Sequence, residues 1–179
     1  MGAELAQMAR GLERSGADFL VMVCNTAHAF HEDIEAAVSI PFVSMIDEVI
    51  NALKRDWPDS IRVGVMAAEG CLQAKLYQRA LHNAGYQAIV WDNPQLTQFM
   101  DLIYQIKAGE MGQRVGLEMA SLAEGLVQRG AEVVLIACTE IPLALNAESL
   151  SVPFIESTDV LAASVLNYSL AGAEVPVKT

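Results

Sequence analysis

Two stretches of this chain repeat one another. GLERSGADFLVMVCNT at 11–26 and GLVQRGAEVVLIACTE at 125–140 align without a gap at an offset of 114 residues. Gly11, Leu12, Gly16, Ala17 and Cys24 answer Gly125, Leu126, Gly130, Ala131 and Cys138. The likeness resumes after a two-residue deletion, where Ile40-Pro41-Phe42 answers Val152-Pro153-Phe154 and Asp47 answers Asp159. Each copy reads as helix, glycine stop, buried strand, cysteine, helix and Pro-Phe strand. Tandem repeats can stack, but two copies separated by unrelated material are most economically two lobes about an approximate two-fold axis.

The rest of the chain fits that frame. Leu5, Met8 and Leu12 set a helical spacing over 3–14, and Phe19–Val23 reads as a short strand. A helix is expected over 28–38, a strand at Ile40–Val43 and a helix at Asp47–Arg55 before the Trp57-Pro58-Asp59 turn. Arg62–Ala67, Gln87–Trp91, Val133–Ala137 and Val152–Ile155 read as further strands. Helices are expected near Leu72–Asn83, Gln95–Ala108, Gln113–Arg129 and Thr158–Leu170. Strands alternating with helices imply an α/β fold of mostly parallel sheets with helical crossovers. The expected division is a first lobe of residues 1–56, completed by 156–179, and a second lobe of 57–155. Their cleft would be the site, because open parallel sheets bind ligands at the carboxyl ends of their strands.

Composition narrows the partners. A net charge of −11 argues against a nucleic-acid groove, which needs clustered Lys and Arg. No basic-then-apolar leader is visible, and runs such as Phe19–Val23 are too short to span a membrane. The expected location is therefore the cytoplasm. Three cysteines, Cys24, Cys71 and Cys138, make a sparse odd count that fits a reducing compartment and no disulfide framework. No zinc-type spacing occurs; His28 and His31 could share a helix face but have no third ligand, so no metal site is expected.

Cys24 and Cys138 each close a strand and are followed by small polar residues, Asn25-Thr26 and Thr139-Glu140. A lone strand-end cysteine is usually a buried structural thiol. Two at equivalent repeat positions suggest paired proton carriers instead. A helix start beside each sulfur would favour the thiolate, and the same amides and hydroxyls suit a substrate carboxylate.

CNTAH at 24–28 and ACTEIP at 137–142 resemble the paired motifs of the cofactor-independent aspartate/glutamate racemases. IPFVSMID (40–47), LYQRAL (76–81), LIYQIKAG (102–109) and VPFIESTD (152–159) are similar to that family in the same order, so the likeness spans nearly the whole chain. The resemblance implies a racemase of acidic amino acids, aspartate or glutamate, using Cys24 and Cys138 as two bases on opposite faces of the α-carbon. It also implies that Asn25, Thr26 and Ala27 meet the substrate carboxylate, that Thr139 and Glu140 support the second side, and that Lys107 reaches a side-chain carboxylate or is a solvated helix lysine. No pyridoxal phosphate is implied, and none of Lys54, Lys75, Lys107 and Lys178 lies in an evident Schiff-base motif.

Members of that family usually carry about fifty residues and a glycine-rich strand ahead of the helix that opens here. The expectation is a truncated first lobe with a raw sheet edge, weak activity, and room for a homodimer. Cys71 stands where the family commonly has threonine, which would alter specificity or simply place a small residue at a helix start. The competing functions are a decarboxylase or isomerase on the same scaffold, which would lean on one cysteine, and a non-catalytic binding domain.

Overall fold

The computed structural model describes residues 1–59, 62–170 and 175. The carboxyl-terminal part of the expected first-lobe completion, including Lys178, falls outside these residues. Two parallel sheets organise the described residues. The small one pairs β1 (Leu20–Val21) with β2 (Phe42–Val43). The larger has the order β4-β3-β5-β6, built from β3 (Arg62–Ala67), β4 (Gln87–Ile89), β5 (Val133–Ala137) and β6 (Phe154–Glu156).

The repeat in sequence is a repeat in hydrogen bonds. Leu20 pairs with Phe42 and Val21 with Val43, while the equivalent Val134 pairs with Phe154 and Leu135 with Ile155. Leu20 N–H donates to Pro41 C=O at 2.8 Å, and Val134 N–H to Pro153 C=O at 2.9 Å. The helices α1 (Gly2–Arg14) and α7 (Gln113–Gln128) end alike. Gly16 and Gly130 take φ of 91° and 99°, and the following Ala17 and Ala131 N–H groups reach back to Leu12 and Leu126 at 3.2 and 3.1 Å. A side chain at either glycine would be strained in this left-handed conformation, which is why the stop is glycine in both copies.

Two helical layers enclose the large sheet, one on each face. Met66, Val134 and Ile136 face α7 and α6 (Asn93–Lys107), packing with Phe99, Leu102, Met119 and Leu126. The alternate residues Val63, Val65, Val133 and Leu135 face the other way, toward α3 (Met45–Asp56) and α5 (Leu76–Asn83). Strands buried on both faces read as the continuous apolar runs seen here. Each fully buried Val or Leu contributes roughly 1.5–3 kcal/mol of transfer free energy.

Several expected elements differ in extent. The anticipated helix over 28–38 is a 3-10 segment, Thr26–Phe30, followed by the short α2 (His31–Glu35). The anticipated helix from Leu72 splits into α4 (Glu69–Gln73) and α5, because Lys75 adopts φ 55° between them. α3 begins at Met45, two residues early, since the Ser44 hydroxyl caps it by accepting from Asp47 N–H at 3.2 Å. On α1 the small Ala6 and Ala9 are buried, whereas Met8 and Leu12 are 64% and 55% exposed. The two-stranded sheet beneath is too narrow to cover that face, and Val21 and Val23 beside it are also exposed.

The last helix, α8 (Ser157–Leu170), succeeds β6 and packs on α3. There the buried Glu48 carboxylate accepts hydroxyl hydrogen bonds from Ser164 and Tyr168. Among the described residues, no helix is long and apolar enough to cross a membrane.

Candidate active site

The two repeat cysteines occupy strand ends of unequal rigidity. Cys138 leaves β5 directly, at the centre of the large sheet, and only 9% of it is exposed. Cys24 lies three residues past the end of β1 on an exposed turn. That turn is held by His28, whose Nδ1 bonds the Cys24 carbonyl at 2.8 Å while its Nε2 accepts from the Met45 N–H at 3.1 Å. The pairing assigns the proton to Nδ1. Burial, which disfavours the charged imidazolium, is the main reason that the His28 pKa is lowered. With both nitrogens engaged by backbone, His28 is a structural strut. No group of three or more candidate metal ligands occurs among the described residues.

Cys138 sits in a chain of charge. Its S–H donates to Glu140 Oε2 at 3.0 Å, and the Thr139 hydroxyl donates to the same oxygen at 3.1 Å. Lys107 Nζ, near the end of α6, lies 3.3 Å from Glu140 Oε1. Lys107, Thr139, Glu140 and Cys138 therefore form one network, in which Lys107 is a half-exposed ion-pair partner of Glu140. The expected depression of the thiol pKa does not occur at Cys138. Burial first, and then the Glu140 carboxylate, push this thiol up to about 12. Burial also raises Glu140, but the Cys138 hydrogen bond and the Lys107 ammonium together outweigh it and leave that carboxyl below its ordinary value.

The Cys24 turn lies across the same end of the large sheet. β5 is flanked by β3 and β6, and Ala67 of β3 pairs with Ala137 of β5. Gly70, three residues past β3, abuts the turn so closely that a Cβ there would stand 3.0 Å from Thr26 Cγ2. On the other flank, Asn25 Nδ2 donates to the hydroxyl of Ser157, the residue just after β6, at 3.1 Å. The turn Cys24-Asn25-Thr26 thus bridges the chain segments emerging from both neighbours of β5, bracketing the strand end that carries Cys138.

Asn25 is buried, and its Oδ1 accepts from the Tyr77 hydroxyl at 2.5 Å. Both ends of its side chain are engaged by buried protein hydroxyls, so a ligand at this turn would meet chiefly main chain, with Thr26 and Ala27 half-buried beside it. Tyr77 and Ser157 are not apparent as site residues from sequence. Both lie inside the family-like stretches LYQRAL and VPFIESTD, but only a contact across 52 and 132 residues gives them a role. Cys71 is wholly buried in the core between β3 and α5, where burial and the nearby Cys24 push its thiol up to about 12.

A family profile described as Asp/Glu/hydantoin racemase matches residues 2–165. The chain belongs to that racemase family. Its relatives include the broad specificity amino-acid racemase RacX of Bacillus subtilis (strain 168), 30% identical over 160 residues, or 89% of this chain and 68% of the relative. A crystal structure from Yersinia pestis, assigned to the Asp/Glu racemases, superposes with a TM-score of 0.84 at 24% identity, covering 94% of this chain and 74% of that one. The Picrophilus torridus aspartate racemase gives a TM-score of 0.79 at 22% identity, over 97% of this chain and 71% of that one. These superpositions show that the chain shares the fold of both structures.

Proposed function

We propose that this racemase-family protein inverts the α-carbon of amino acids by proton transfer between Cys24 and Cys138, without a cofactor, with aspartate and glutamate as the first substrates to test. The observation that carries the reading is the bracketing of β5. The Cys24 turn rests on the residues just past β3 and β6, the two strands beside the one ending in Cys138. A planar carbanion held between the two sulfurs could then lose a proton to one and gain a proton from the other on the opposite face.

Cys138 rests protonated, because burial and Glu140 disfavour its thiolate. In the direction in which Cys24 takes the α-proton, Cys138 therefore has a proton ready to deliver to the opposite face. The electron pair of the broken C–H bond moves into the substrate carboxylate, which we place against the main chain of Asn25, Thr26 and Ala27. After turnover Cys24 carries the proton and Cys138 the charge, and the same pair runs the reverse reaction. Thr139 and Glu140 support the Cys138 side. Holding an acidic substrate side chain by Lys107 would require it to share its charge with Glu140, from which it stands 3.3 Å.

Purified protein incubated in deuterium oxide with single enantiomers of aspartate, glutamate and a panel of neutral and basic amino acids tests this. The expected product is the opposite enantiomer carrying deuterium at the α-carbon. Absence of inversion across the panel, or inversion that persists when Cys24 or Cys138 is replaced by alanine, would refute it. Decarboxylation or binding without exchange would favour the competing functions.

A further inference from the structure

We propose that Tyr77 and Ser157 are positioning residues for Cys24, acting through the side chain of Asn25. The inference rests on Cys24 being one of the two bases. β1 ends at Val21, so Met22, Val23 and Cys24 run beyond the last ladder pair of a two-stranded sheet. Met22 still packs on the small core of Ala9, Leu20, Ile34 and Phe42, but Val23 is 57% exposed and Cys24 is exposed, so neither regular structure nor apolar packing fixes the end of the segment that carries the sulfur. Cys138, by contrast, leaves a fully buried central strand and needs no such help.

What fixes the Cys24 turn is polar. The Asn25 amide is gripped at both ends by hydroxyls from distant elements, Tyr77 on α5 and Ser157 at the start of α8. Tyr77 and Ser157 are both fully buried, so water does not replace either bond cheaply. Burial also holds the Tyr77 phenol well above its usual pKa, so the group remains an O–H donor throughout the working pH range. The two bonds set the plane of the Asn25 side chain, and thereby the peptide it shares with Cys24. His28 holds the Cys24 carbonyl from the other side. The sulfur is exposed, but the backbone carrying it is anchored on both sides.

In the duplicated frame, Ser157 answers Met45. The Met45 N–H holds His28 within the first half, whereas the Ser157 hydroxyl reaches across to hold Asn25. The same repeat position thus anchors the Cys24 turn from both halves.

Two readouts on Tyr77→Phe and Ser157→Ala test the role. The first needs no turnover: amide hydrogen exchange across residues 22–28 should rise about tenfold or more in each variant, with residues 133–137 unchanged. Unchanged exchange at 22–28 in both variants would overturn the clamp. The second is the α-deuterium isotope effect on kcat/KM, measured from each enantiomer. Misplacing a base by an ångström costs on the order of a hundredfold, and thermodynamics requires kcat/KM to fall equally in both directions. The isotope effect should nevertheless become unequal. It should approach its full value from the enantiomer whose proton Cys24 removes, and shrink from the other, where Cys24 only returns a proton. Raised exchange with equal isotope effects in the two directions would leave only a structural clamp and overturn the positioning role. If the parent protein inverts no amino acid, the proposed function fails, while the exchange readout still decides the clamp.

Discussion

Replacing Glu140 by glutamine removes a negative charge whose oxygen lies 3.0 Å from the Cys138 sulfur, while keeping the shape and one acceptor. A like charge within hydrogen-bonding reach raises a thiol pKa by about one to three units, each worth about 1.4 kcal/mol. In this site the raise is partly offset by Lys107, and the largest cause of the shift to about 12 is burial. Glu140→Gln should therefore lower the Cys138 pKa by roughly one unit, a tenfold gain in thiolate at fixed pH. It should not restore the ordinary thiol value, because burial remains. The assay is the pH dependence of Cys138 alkylation, followed on its own peptide by mass spectrometry. Lys107→Met should move the midpoint the other way. An unchanged or raised midpoint in Glu140→Gln would refute the assignment of Glu140 as a contributor, beside burial, to keeping Cys138 protonated.

His28→Ala should cost about 2–4 kcal/mol through two lost hydrogen bonds and lost packing on Phe42, measured by urea unfolding. Because the folded His28 pKa is lowered by burial, its stabilisation is present above the unfolded value of about 6.5 and is lost as pH falls through the folded value, so the gap between parent and variant should narrow in acid. Gly116→Ala should destabilise by about 1–3 kcal/mol despite alanine's better helix propensity, since its Cβ would stand 2.6 Å from the Ala144 carbonyl oxygen. Gly125→Ala on the same helix meets nothing within 4 Å and should stabilise by up to about 1 kcal/mol, so thermal melts of the pair check the packing.

The sequence exposed what is locally encoded. Arg62–Ala67 and Val133–Ala137 were legible to the residue because a doubly buried strand reads as a continuous apolar run, which begins in the first just after the exposed Arg62. The duplicated glycines and Pro-Phe strands announced two like halves, because a left-handed stop and a fixed strand register leave marks in sequence. The break at Lys75 was invisible, since a non-glycine residue at φ 55° carries no local signature. Met8 and Leu12 looked like a core face, but exposure depends on how much sheet lies beneath. Among the candidate site residues, Cys24, Cys138, Glu140 and Lys107 could each be proposed from family-like stretches of sequence. Their electrostatics could not, because a strand-end thiol is lowered by a helix start or raised by burial and a carboxylate, and only the fold decides. The Tyr77–Asn25–Ser157 contacts are wholly nonlocal.

Elimination from a β-chloro amino acid bears most directly on the two opposed sulfurs, since chloride loss needs α-proton abstraction but no reprotonation. With the parent protein, chloride release is expected from both enantiomers. Cys24→Ser should abolish release from one enantiomer and spare the other, and Cys138→Ser should do the reverse. Loss of both, or of neither, with either single substitution would show that the cysteines do not stand on opposite faces of one carbon.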